Sequence, residues 1–156
     1  EEKGMEVFDA AELWSRERIA ETQLTRLRAT LSQARKCAFY RERLDEAGVT
    51  PDSIRSLDDL QRIPFTSKQD LRSQYPTGLL CVPPSEIVRM HCSSGTTGTP
   101  VAICHTQNDI NSWADLMARC MHMVGVRRDD VFQNMSGYGC LRAAWASISA
   151  RSAWAA

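Results

Sequence analysis

The segment Ser93-Ser94-Gly95-Thr96-Thr97-Gly98-Thr99-Pro100 is where this 156-residue chain concentrates groups able to hold a phosphate. Glycines let backbone amides come close to a ligand because no Cβ stands in the way, and the interleaved hydroxyls add donors that can follow a polyphosphate. The order of residues departs from the Walker loop, which ends in Gly-Lys-Ser or Gly-Lys-Thr and opens a helix. Here Pro100 leads instead into Val101 to Cys104, an apolar run that reads as a strand, so a P-loop kinase or GTPase is disfavoured. Composition alone leaves a flexible surface linker equally open, since Ser, Thr and Gly cluster between elements in many proteins.

Other chemistry-bearing residues give weaker signals. His91, His105 and His122 have no Cys or acidic partner at ligand spacing, and the six cysteines (Cys37, Cys81, Cys92, Cys104, Cys120, Cys140) contain no Cys-x-x-Cys pair. Structural histidines, no metal site and reduced thiols are therefore expected. Cys92, next to the loop, reads as a packing residue. Met117, Met121 and Met123 with Trp113 read as core, and Arg127 to Asp130 as a solvated turn.

The elements that must position the loop follow from periodicity and punctuation. Residues 11–47 lack Gly and Pro, and Leu24, Leu27, Leu31, Ala34 and Ala38 recur at helical steps, which predicts a long helix or helical hairpin. Gly48 stands where a helix end wants a left-handed residue, and Pro51 prevents continuation. Ser56 with Asp59, Ser67 with Asp70 and Thr106 with Asp109 each form the amino-terminal cap pattern of a new helix. The last of these opens a helix with an apolar stripe of Trp113, Leu116, Met117, Met121 and Val124, closed by Gly125. Ile87 to Met90, Val101 to Cys104 and Val131 to Met135 read as strands. Helices first and an α/β arrangement afterwards is the expected architecture.

Composition bounds the partners. Lys plus Arg and Asp plus Glu both total 19, giving a formal net charge of zero, so no overall field draws the chain to nucleic acid or anionic lipid. Hydrophobic residues make up 43% and charged residues 24%, the range of a soluble globular protein. Glu1 to Phe8 lacks the basic and then apolar pattern of a secretory leader, and no run reaches a membrane-spanning length. A cytoplasmic protein acting on small molecules, with no nucleic-acid or membrane partner, is the expectation.

The ordered string S-S-G-T-T-G followed by a small residue and Pro resembles the phosphate loop of the adenylate-forming superfamily. Phe39-Tyr40, Ile63-Pro64-Phe65-Thr66-Ser67-Lys68-Gln69-Asp70-Leu71-Arg72, Tyr75-Pro76 and Gly137-Tyr138-Gly139 narrow the resemblance to the phenylacetate-CoA ligases. It covers about Leu24 to Gly139. The resemblance implies conversion of an aryl acid and ATP to an acyl-adenylate and pyrophosphate, then exchange of AMP for coenzyme A, with Mg2+ accompanying the ATP. It also implies that Ser93, Ser94, Gly95, Thr96, Thr97 and Gly98 hold the β- and γ-phosphates, with Thr96 and Thr97 nearest the departing pyrophosphate as the catalytic pair. Thr99 stands where many relatives carry Lys, which removes one fixed positive charge. Tyr138 falls at the aromatic position lining the acyl pocket, flanked by Gly137 and Gly139; a core tyrosine is the bland alternative for it. Parent enzymes of this kind are often homodimers.

After Gly139 the pattern stops. Cys140 to Ala156 is rich in Ala, Ser and Trp, and a frameshift is the expected cause, because Trp145-Ala146 and Trp154-Ala155 each regroup to codons permitting Leu-Gly. The expected organisation is thus a helical region over 1–85, the start of a truncated α/β AMP-binding core over 86–139, and a non-native tail over 140–156. The fragment is expected to be inactive alone. Two other readings stay open: a non-catalytic nucleotide-binding or oligomerisation remnant, and a related ligase acting on a benzoate- or coumarate-like acid.

Overall fold

The computed structural model describes residues 7–93, 100–127, 129–131 and 133. Its described residues form two compact units. The first holds the residues up to Gln74 together with Gly78–Val82; the second holds Tyr75–Thr77 and the residues from Pro83 onward.

In the first unit, Ser15 caps helix α1 (Arg16–Ala34) by accepting a hydrogen bond from the Arg18 amide. Of the two expected forms, a long helix or a helical hairpin, the structure has two helices: α2 (Ala38–Glu46) starts after Cys37, whose extended backbone breaks the helix. No Gly or Pro marks this corner. Its cause is packing, since Cys37 turns inward and is buried while Ala38, expected on the apolar stripe, is exposed. Gly48 ends α2 with φ of 63°, the left-handed conformation that only glycine adopts without steric cost.

Leu31, Leu44, Val49 and Ile54 then bury together, with Leu24, Leu27 and Ile63 packed around them. Each such burial is worth about 1.5–3 kcal/mol. Polar side chains fasten the loops to this core: Arg28 Nε donates to the Ile54 carbonyl at 2.8 Å, and Arg35 pairs with Asp45 at 2.7 Å. Asp59 opens a 3-10 turn, Leu57–Arg62, by accepting from the Ser56 amide at 3.1 Å, while its own amide donates to the Ser56 carbonyl. Ser67 and Asp70 open α3 (Lys68–Ser73) through the full reciprocal cap expected. Beyond α3, Gly78 accepts a Cys37 Sγ hydrogen bond at 3.2 Å, and Gln33 Nε2 donates to the Cys81 carbonyl at 2.7 Å, so Gly78–Val82 lies as a strap along the first unit.

In the second unit, β1 (Ile87–Cys92) pairs antiparallel with β2 (Ala102–Thr106), an irregularity falling between Ile87 and Arg89. Both strands extend two residues beyond the apolar runs that predicted them, through His91-Cys92 and His105-Thr106. Thr106 caps helix α4 (Gln107–Met123) with Asp109 in the reciprocal pattern expected, and Gly125 follows with φ of 94°. The buried stripe of α4 is Ile110, Ala114 and Ala118. Trp113, Met117 and Met121 are half-buried beside it, whereas Leu116, Met123 and Val124 are exposed. The expected stripe and the methionine core are corrected accordingly: small residues permit the close approach, and the longer side chains flank it. Of the strand expected over Val131–Met135, only Val131 and Gln133 lie among the described residues, and Val131 is exposed.

Candidate functional site

The hydroxyl- and glycine-rich segment connects β1 to β2, and the structure shows how its two ends are held. The Ser93 amide donates to the Val101 carbonyl at 2.9 Å. In return, the Val101 amide donates to Ser93 Oγ, also at 2.9 Å. These bonds continue the ladder in which Cys92 faces Ala102, so the neck of the loop is fixed by two hydrogen bonds beyond the last residue pair. Ser93 itself is exposed. Its main-chain amide is committed to the neck, which leaves its hydroxyl hydrogen as its one donor toward a ligand. Ser94, Gly95, Thr96, Thr97 and Gly98, and likewise Gly137, Tyr138 and Gly139, lie outside the described residues, as does the tail from Cys140.

Behind the neck stands an aromatic cluster. His91 on β1, His105 on β2 and Trp113 on α4 meet with ring centroids 5.1 Å (His91 to His105), 5.3 Å (His91 to Trp113) and 5.4 Å (His105 to Trp113) apart. His91 is 2% exposed and His105 8%. Both are therefore packing residues that tie the two strands to the helix, in keeping with the structural role expected from sequence. Alternation explains the arrangement. His91 and His105 point to the face that α4 covers, while their neighbours Met90, Cys92 and Cys104 point the other way. Burial, and after it the nearby Cys92 thiol, pushes the Cys104 thiol up, so a thiolate nucleophile is disfavoured there. Among the described residues no group of His, Cys, Asp and Glu is placed to hold a metal ion, and no helix is long and apolar enough to cross a membrane.

Sequence reasoning missed Trp113 as the third member of this cluster, reading it only as one of a methionine-rich stripe. A signal was present: a histidine at the end of each strand-like run, with an aromatic one helical face away. What the arrangement offers chemically is a hairpin with a hydrogen-bonded neck and a rigid back, from which backbone amides and hydroxyls can be presented to an anion.

No family model matches the chain. Individual relatives do. The phenylacetate-coenzyme A ligase of Pseudomonas putida is 44% identical over 134 residues, which is 85% of this chain and 30% of that one. Over most of its own length the chain is similar to phenylacetate-CoA ligases. The enzyme of the same name from Thermus thermophilus is 45% identical over 125 residues, covering 80% of this chain and 28% of the relative; that of Escherichia coli is 42% identical over 133 residues, covering 85% and 30%. The chain thus spans about 30% of the length of the curated phenylacetate-CoA ligases it matches. A 2-hydroxyisobutyryl-CoA ligase solved with 2-HIB-AMP and CoA superposes with a TM-score of 0.79 at 31% identity, over 96% of this chain and 31% of that one. An open conformation of that ligase gives a TM-score of 0.77 at 28% identity, over 86% of this chain and 30% of that one. A helix-rich region with a small two-stranded sheet matches the amino-terminal part of an adenylate-forming CoA ligase, the fold expected.

Proposed function

We propose that this chain forms the phosphate-holding part of an aryl-acid CoA ligase, which joins ATP and phenylacetate into an acyl-adenylate with release of pyrophosphate and then replaces AMP with coenzyme A. One observation carries the reading: the run Ser93 to Pro100 sits between two paired strands in a chain 44% identical over 134 residues to a phenylacetate-coenzyme A ligase. Within it, residues 86–139 are the phosphate-holding core and residues 1–85 its helical lead.

ATP supplies the leaving group, and Mg2+ accompanies it. The chain's own contribution is electrostatic. Phosphoryl oxygens gain negative charge as the phosphorus is attacked, and donors fixed beforehand stabilise that state more than they stabilise bound ATP. The two neck bonds at Ser93 support this role because they hold the loop's ends in place before any nucleotide arrives. Ser94 to Gly98 offer amides and hydroxyls to the β- and γ-phosphates, with Thr96 and Thr97 directed to the departing pyrophosphate. Ser93 contributes its hydroxyl hydrogen. Tyr138, between Gly137 and Gly139, lines the acyl pocket, where an aryl ring stacks on it.

The test is ATP–pyrophosphate exchange with phenylacetate by a chain extended to the length of its relatives. Exchange above background is expected. A Thr96→Ala, Thr97→Ala double variant should lower it by about 10²-fold or more, and undiminished exchange in that variant would sink the assignment. One further reading is a nucleotide-binding module that does no chemistry. Calorimetry of the chain with MgATP separates the two, since a self-sufficient binding module releases heat on titration without any extension.

A further inference from the structure

The core of the first unit is open on one side. Leu31 and Leu44 are buried and Ile63 is half-buried, yet all three, with Pro64, also line a cavity of about 380 Å³. An apolar cavity of roughly 150 Å³ already holds benzene, so this one has room for two fused rings. Apolar pockets of this size with a few grouped polar side chains are the usual form of a small-molecule site. Tyr40 and Arg43 supply such groups. They stand three residues apart on α2 and so share one face of the helix.

Arg43 is held in place by the protein itself. Its Nη1 donates to the Phe65 carbonyl at 3.0 Å and to Asp70 Oδ2 at 3.1 Å, and its guanidinium lies over the Phe39 ring, 4.9 Å from the centroid. Both Nη1 hydrogens are thereby engaged. Among the described residues nothing accepts from the opposite edge of the fork, Nε and Nη2, and that edge matches a carboxylate through two parallel hydrogen bonds. Asp70 does not compete for it. That carboxylate already accepts from the Ser67 amide at 2.7 Å and the Ser67 hydroxyl at 2.8 Å as well as from Nη1, and Asp70 does not line the cavity.

We propose that this cavity binds a fused bicyclic aromatic carboxylate, its rings among Leu31, Leu44, Ile63 and Pro64 and its carboxylate on the Nε–Nη2 edge of Arg43. The volume sets the size of the ligand, since a single ring would leave most of the space empty. The guanidinium sets its charge, and the Tyr40 hydroxyl adds a donor from the same helix face. No residue of Ser93–Gly98 or Gly137–Gly139 takes part, so the site goes beyond the ligase reading.

The test is calorimetric titration of the intact 156-residue chain, without nucleotide, against 2-naphthoate, 2-naphthamide and phenylacetate. Saturable one-site binding of 2-naphthoate is expected. The uncharged amide should bind about tenfold more weakly or worse, the share that charge-assisted hydrogen bonds carry, and phenylacetate should also be weaker. No saturable binding of 2-naphthoate, an amide that binds as well as the acid, or phenylacetate that binds as tightly would each overturn the proposal. Arg43→Gln should abolish the preference for acid over amide. Ala34→Leu, which places a larger side chain on the cavity wall, should weaken both ligands, and undiminished binding in that variant would overturn the assignment. Because Arg43 also braces Phe65 and Asp70, the comparison of acid with amide on the unsubstituted chain decides the matter even where Arg43→Gln does not fold. Loss of binding in Tyr138→Ala would put the probe in the acyl pocket proposed above and overturn this site. Pyrophosphate exchange is read in no arm, so failure here and failure of the ligase reading are separate events.

Discussion

Asp59 and Asp70 show how single side chains set this protein's response to acid. The Arg55 and Ser56 amides hold the Asp59 carboxyl below its ordinary value; the Ser67 amide and hydroxyl, helped by the Arg43 guanidinium, do the same for Asp70. A depressed carboxylate contributes stability that is present above its unfolded pKa and lost as pH falls through its folded one. Urea midpoints should therefore stay level near neutrality and drop below about pH 4. Asp70→Asn should flatten that drop; an unchanged acid limb in the variant would show that the cap and the Arg43 pair at 3.1 Å do not carry it. At the core, Ile54 is 0% exposed, so Ile54→Ala should cost about 2–5 kcal/mol in chemical denaturation.

At the scale of elements, the sequence was most informative where a rule is local. The caps Ser67 with Asp70 and Thr106 with Asp109, and the left-handed Gly48 and Gly125, are each settled by neighbours within four residues, and each appears as expected. Tertiary packing hid the rest. The α1–α2 corner carries no breaker residue, because it is the burial of Cys37 that makes it. Strand ends were cut short since histidine does not count as apolar, although His91 and His105 are buried against Trp113. The stripe of α4 was misplaced because hydrophobicity favours long side chains, whereas Ala114 and Ala118 form the contact face. A pair of variants checks this orientation by urea unfolding. Ala118→Leu should overpack and destabilise by about 1–3 kcal/mol, while Leu116→Gln, on the exposed side, should stay within about 0.5 kcal/mol of the parent. Thr106→Ala should cost about 1 kcal/mol through loss of the cap.

On the scale of the whole molecule, two compact units account for about 30% of the length of the phenylacetate-CoA ligases matched. What sets S-S-G-T-T-G apart from a linker is its order and not its composition. What sequence did not give was the manner in which its ends are joined. Nor did it single out Ser93 as the residue whose amide is spent on the neck, since that depends on which carbonyl lies across the hairpin.

The two bonds between Ser93 and Val101 act as a buckle on a strap: they fix circumference. A glycine pair inserted after Gly98 enlarges the ring, and polymer statistics charge well under 1 kcal/mol for so small an increase. Thermal melting of such a variant should therefore match the parent, while the looser ring should grip a triphosphate poorly. In the nucleotide site proposed above, foldability and grip belong to different parts of the hairpin, divided at the clasp.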